Sequence, residues 1–126
     1  MPKIIAIIDD EVEMEYIYNM LLEDVIESRE VDVRFFSDSR LFEQWLRHNN
    51  PDLILSDISM PFISGAELGH RIRQSGKNIC TYFVSGHDEH DYQQTMKELG
   101  ISRYIAKPLN LNKMMEFIKT DLGLTG

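Results

Sequence analysis

Five short apolar runs, each followed by a stretch of helical periodicity, recur along the chain at intervals of about 20 to 30 residues. This alternation constrains the fold more than any other feature, because consecutive βα units build a parallel sheet covered by helices. Strands are expected at residues 3–8, 31–36, 53–56, 81–84 and 103–106, and helices at 13–27, 40–48, 66–74, 89–99 and 111–122. The last helix is the clearest: Leu111, Met114, Met115, Ile118 and Leu122 recur at helical spacing, with Asn110 as its N-cap. Ser64 and Glu67 have the spacing of a capping box ahead of the third helix. In the second helix, Leu41, Phe42 and Trp45 read as the buried stripe.

The strands differ in a way that orders them. "IIAII" and "TYFV" are apolar throughout, as strands buried on both faces must be. In "VDVRFF", Asp32 and Arg34 alternate with Val31, Val33 and Phe35, so one face is wet and the second strand belongs at an edge. Right-handed crossovers then give a doubly wound α/β fold, a (βα)5 five-stranded parallel sheet of order 2-1-3-4-5 with flavodoxin-like architecture.

At 126 residues the chain can bury a single core, and residues 1–126 read as one domain. Its apolar runs reach about five residues, against the roughly 20 that cross a bilayer, and Met1-Pro2-Lys3 leads straight into a strand. The protein is therefore expected in the cytoplasm, away from membranes. A net charge of -8 argues against nucleic-acid binding by this domain, since such binding needs a cationic footprint. The one cysteine, Cys80, lies in an apolar run; it excludes a disulfide framework and is expected to be a small buried thiol.

In an open parallel sheet, ligands bind beyond the carboxyl ends of the strands, near the point where the winding reverses. The first strand ends at Asp9 and Asp10, the third at Asp57, the fourth at Ser85 and the fifth at Lys107. Three carboxylates so close together repel one another unless a cation sits among them. Mg²⁺ suits such a place, because it prefers oxygen ligands, takes one or two carboxylates and leaves positions for water and phosphate oxygens. Asp57 can act as a nucleophile toward phosphorus, with Lys107 as a point charge and Ser85 as a hydroxyl donor. Glu11, Glu13 and Glu15 are assigned to the helix N-terminus, where the macrodipole favours acids. His87 and His90, with Asp88 and Glu89 between them, read as a polar loop entering a helix rather than as a transition-metal site.

The segments "IIDDE", "LSDISMPFISG", "FVSG" and "RYIAKP", in this order and on these strand ends, resemble the receiver domain of bacterial two-component response regulators. The resemblance covers essentially the whole chain. It implies a phosphoprotein of a phosphorelay, in which Asp57 accepts a phosphoryl group from a histidine kinase or phosphotransfer protein. Mg²⁺ would be held by Asp9, Asp10, Asp57 and the backbone carbonyl of Ser59. Ser85 and Tyr104 would form a switch pair that alters a surface read by a downstream protein or fused output domain. Such a domain is not an enzyme in the usual sense; it assists its own phosphorylation and dephosphorylation. The resemblance assigns tuning of the phosphoryl lifetime to Ser59 and His87, and makes Lys107-Pro108 a candidate cis bond. Ser102 and Arg103 stand where members that dimerise through the fourth and fifth helices often carry acids, which counts against that dimer.

Three other readings compete. An aspartate-nucleophile phosphatase resembling the haloacid dehalogenase group needs a second acid two residues after the nucleophile, where this chain has Ser59. A flavodoxin-like cofactor binder needs a phosphate loop after the first strand, where "DDEVEME" repels phosphate. A receiver-like interaction module that is never phosphorylated would not need the complete set of site residues.

Overall fold

The fold is described from a computed structural model in which residues 1–101 and 103–124 are placed; Ser102 lies outside the described residues. Five strands, β1 (Lys3–Ile8), β2 (Val31–Phe36), β3 (Leu53–Asp57), β4 (Cys80–Ser85) and β5 (Arg103–Ala106), form one sheet of order β2-β1-β3-β4-β5. Every pairing is parallel. Around the sheet lie helices α1 (Glu13–Leu21), α2 (Glu23–Glu27), α3 (Ser39–Leu46), α4 (Gly65–Gln74), α5 (Gln93–Leu99) and α6 (Leu111–Leu122).

The apolar strands have two buried faces, and alternate residues divide between them. Ile5, Ile7, Leu53, Leu55, Tyr82, Val84 and Ile105 pack against Met14, Tyr18, Val25, Met114 and Ile118 from α1, α2 and α6. On the opposite face, Ala6, Ile8 and Ile54 meet Phe42, Leu46, Leu68 and Ile72 from α3 and α4. Phe83 and Tyr104 pack with Met96 and Leu99 of α5. β2 is half-buried and pairs with β1 at the edge, as its alternating pattern implies.

The caps follow the expected chemistry. Asn110 Oδ1 accepts from the Lys113 amide at 3.0 Å and Ser64 Oγ from the Glu67 amide at 3.2 Å. The Glu67 carboxylate accepts from Arg71 Nε rather than serving the full capping box. α3 is capped by Asp38, whose Oδ1 accepts from the Arg40 amide at 2.8 Å.

Several expectations need correction. The helix at 13–27 breaks at Leu22, which leaves helical geometry (φ -101°, ψ 8°) while sinking fully into the core; the turn lets Val25 follow it inward. The stretch 89–99 opens as a 3₁₀ turn (Glu89–Tyr92) capped by Asp88, and becomes α-helical at Gln93. Leu41 is exposed because Phe42 and Leu46, one turn apart, take the buried face of α3. Leu111, the first residue of α6, is also exposed. Cys80 is exposed, since it opens β4 at the amino end of the sheet and full burial begins only at Tyr82.

Candidate functional site

At the carboxyl edge of the sheet, adjacent strand ends deliver side chains into one pocket. Asp9 follows β1, and its amide donates to the Phe36 carbonyl at 3.0 Å, which fixes the chain as it leaves the sheet. Its side chain is 1% exposed, while Asp10 is exposed. Asp57 closes β3 and is 6% exposed; Ser85 closes β4 and is buried. Lys107 follows β5, and its amide donates to the Ser85 carbonyl at 2.8 Å, so the lysine is held against the neighbouring strand end. The Lys107-Pro108 peptide is cis.

The Lys107 ammonium joins what the sequence separates. It donates to Asp9 Oδ2 at 2.9 Å and to Asp57 Oδ2 at 3.1 Å, and lies 3.5 Å from Glu11 Oε1. One carboxylate oxygen from each of Asp9, Asp10 and Asp57 falls within 4.8 Å of the others, the one such group of potential metal ligands among the described residues. All three donors are hard oxygens, and Asp10 opens to solvent, which fits a hard divalent cation that keeps part of its water shell. Asp9 Oδ1 is occupied by the Glu11 amide at 2.9 Å, whereas Asp57 Oδ1 has only a long contact from the Ser59 amide at 3.3 Å.

The charges are strongly coupled. Burial and the nearby Asp9 charge push the Asp57 carboxyl above the usual carboxylate range, against the opposing pull of Lys107. Burial disfavours the Lys107 ammonium, but hydrogen bonding and attraction from Asp9 and Asp57 outweigh it and hold the proton more tightly than in water. Burial, with Asp9 and Asp57 nearby, also raises the Tyr18 hydroxyl, a helix residue on the core side of this site.

Ser85 and Tyr104 both hydrogen-bond the backbone of His87. Ser85 Oγ accepts from the His87 amide at 3.0 Å, and the Tyr104 hydroxyl donates to the His87 carbonyl at 2.5 Å. Tyr104 is buried, with its ring nearly parallel to Tyr92 at 6.4 Å between centroids. Ser59 and His87 are both exposed on loops next to Asp57 and Ser85.

Two roles escaped the sequence reading. Glu11, assigned to the helix dipole, also reaches Lys107; its place in the run "DDE" was the available signal. Gly65 permits close packing, because a Cβ there would lie 2.3 Å from the Asp57 carbonyl oxygen and 2.8 Å from Ile58 Cα. Only the absence of a side chain lets α4 start this near the end of β3.

Residues 5–119 match the family model of the response regulator receiver domain. The chain belongs to this family. The receiver is 28% identical over 126 residues to the polar-differentiation response regulator DivK of Brucella anthropi, with 98% of each protein covered. It is 32% identical over 74 residues to sporulation initiation phosphotransferase F of Bacillus subtilis, covering 59% of this chain and 60% of that protein. A protein-glutamate methylesterase/protein-glutamine glutaminase of Trichodesmium erythraeum is 34% identical over 129 aligned positions, which cover 97% of the receiver and 36% of that protein. The chain thus spans less than two thirds of the length of both the sporulation protein and the methylesterase.

Solved structures agree on the fold. A CheY-like receiver from Methanospirillum hungatei superimposes with a TM-score of 0.84 at 23% identity, covering 98% of the receiver and 95% of that chain. The chemotaxis protein CheY4 of Vibrio cholerae gives 0.83 at 19% identity, covering 95% and 98%.

Proposed function

We propose that this receiver is a phosphorelay module in which Asp57 accepts a phosphoryl group from a phosphohistidine of a histidine kinase or phosphotransfer protein. The observation that carries the reading is the Lys107 ammonium bridging buried Asp9 and Asp57 in a pocket shared with Asp10. Magnesium held by Asp9, Asp10, Asp57 and the Ser59 carbonyl would supply positive charge to the phosphoryl oxygens and orient them.

The residues divide the work. Asp57 Oδ1, the least committed buried carboxylate oxygen, attacks phosphorus; the P–N bond breaks, an acyl phosphate forms, and the released imidazole nitrogen takes up a proton from solvent. Lys107 exchanges its bond to Asp57 for one to a phosphoryl oxygen, keeping Asp9 as its second partner. Ser85 turns its hydroxyl from the His87 amide toward the new charge. That change reaches Tyr104 through the same His87 residue and shifts the population of the surface read by a downstream protein or output domain. Ser59 and His87, exposed on either side, set how readily water reaches the acyl phosphate.

A protein donor is supported by exposed apolar side chains beside the pocket, Val12 at the N-cap of α1 and Tyr16, Ile17 and Met20 on the helix. Among the described residues no helix is long and apolar enough to cross a membrane. We place the module in the cytoplasm with its donor. Ser59, where a phosphatase of haloacid dehalogenase type needs an acid, counts against that alternative.

Borohydride trapping tests the acceptor. After treatment with a small phosphodonor and Mg²⁺, reduction should convert residue 57, and no other aspartate, to homoserine in peptide mass spectra. Conversion at Asp9 or Asp10 instead would overturn the assignment.

A further inference from the structure

The loop between β3 and α4 carries a contact that the phosphoryl chemistry does not use. Phe62 is 73% exposed and has φ 67°, in the left-handed region that non-glycine residues avoid. The Ile63 amide donates to the Pro61 carbonyl at 2.8 Å, so Phe62 is the centre of a γ-turn of the strained, positive-φ kind. Such a backbone persists only where its surroundings hold it. On the inner side, Ile58 and Ile63 are buried, Met60 packs against the same core as Ile63, and the Gly65 amide donates to the Ile58 carbonyl at 2.8 Å. On the outer side, the Arg40 guanidinium lies 3.5 Å above the centre of the Phe62 ring.

Arg40 is itself fixed. Its Nη2 donates to Asp38 Oδ2 at 2.8 Å and its Nε to Asp38 Oδ1 at 3.1 Å, while the same carboxylate caps α3 through the Arg40 amide. A planar guanidinium held this way presents its face to an aromatic ring at little further entropic cost. Asp38, Arg40 and Phe62 therefore form a strut from the start of α3 to the loop, which contains Ser59 three residues before the ring.

We propose that Arg40 is a positioning residue, whose stack on Phe62 holds the 58–64 loop and thereby sets the affinity of the acidic pocket for Mg²⁺. The inference rests on the proposed metal site, because it acts through the Ser59 carbonyl. A loop freed on its outer side samples more orientations of that carbonyl and of the amide facing Asp57, and binding must then select among them.

The test compares wild type, Arg40→Ala and Phe62→Tyr by hydrogen exchange at the hydrogen-bonded Ser59, Ile63 and Gly65 amides without metal, and by calorimetric Mg²⁺ titration. An exposed cation–π contact corresponds to roughly a two- to fivefold change in an equilibrium. Arg40→Ala should speed exchange in this loop and weaken Mg²⁺ binding by about that factor, while Phe62→Tyr, which keeps the stack, stays close to wild type. A purely structural role would lower the unfolding midpoint and leave Mg²⁺ affinity of the folded chain unchanged. Unchanged loop exchange or unchanged Mg²⁺ affinity in Arg40→Ala, with wild type binding normally, overturns the inference alone. A wild-type chain that binds no Mg²⁺ overturns the metal site, and this inference with it.

Discussion

At the scale of single residues, the pocket is a place where removing a charge and removing its partner have opposite effects. Asp57 holds its proton more tightly folded than unfolded, since burial and Asp9 outweigh Lys107. Its contribution to stability is therefore complete below the ordinary carboxylate pKa and is lost as pH rises through the higher folded value. Asp57→Asn removes that loss, so the metal-free variant should unfold at a higher denaturant midpoint than wild type at pH 7. The gap should close as pH falls below the ordinary carboxylate range, and a variant less stable than wild type at pH 7 would contradict this. Lys107→Ala works the other way, because it leaves Asp9 and Asp57 buried without their shared cation. We expect a loss of about 3 kcal/mol at pH 7, shrinking in acid as the carboxylates protonate, measurable by urea unfolding. These residues were legible in the sequence as polar endings of apolar strands. Glu11 was not, because an acid after a strand also satisfies a helix N-terminus and sequence alone does not separate the two uses.

Among the elements, legibility followed burial. β1, β3 and β4 were readable because burial on both faces forces continuous apolar runs, and β2 because one wet face forces alternation. The break at Leu22 left no mark in the sequence, since the periodicity of α1 and α2 is continuous in residue type and only the backbone turn separates them. Cys80 looked buried because a strand's composition does not say where the covering helices stop. The start of α4 is a more exacting junction: Gly65→Ala drives a methyl group into the Asp57 carbonyl, where overpacking costs typically 1–3 kcal/mol. That variant should show both a lower unfolding midpoint and slower phosphorylation, and an unaffected rate would show that the acceptor tolerates displacement of the helix. On α1, the stripe of Tyr16 and Met20 lies outside the pocket. Replacing either by alanine should leave labelling by a small phosphodonor unchanged while slowing transfer from a phosphorylated donor protein, in side-by-side time courses.

For the molecule as a whole, topology converts sequence separation into proximity. The order β2-β1-β3-β4-β5 puts the winding reversal between β1 and β3, so Asp9 and Asp57 become neighbours although 48 positions apart, and β5 returns Lys107 to both. That convergence is legible in the sequence, because parallel strands send all their carboxyl ends to one edge. The side-chain contacts between elements, such as Arg40 of α3 on Phe62 or Tyr104 of β5 on Tyr92, are not, because they depend on side-chain directions that no periodicity records. The central claim is that this edge is a magnesium-dependent phosphoacceptor site centred on Asp57. Intact-mass measurement after treatment with a small phosphodonor tests it most directly. Wild type with Mg²⁺ should gain one phosphoryl group, and chelation or Asp57→Asn should abolish the gain. An unchanged wild-type mass, with another receiver labelled in parallel, or labelling that survives Asp57→Asn, would contradict it.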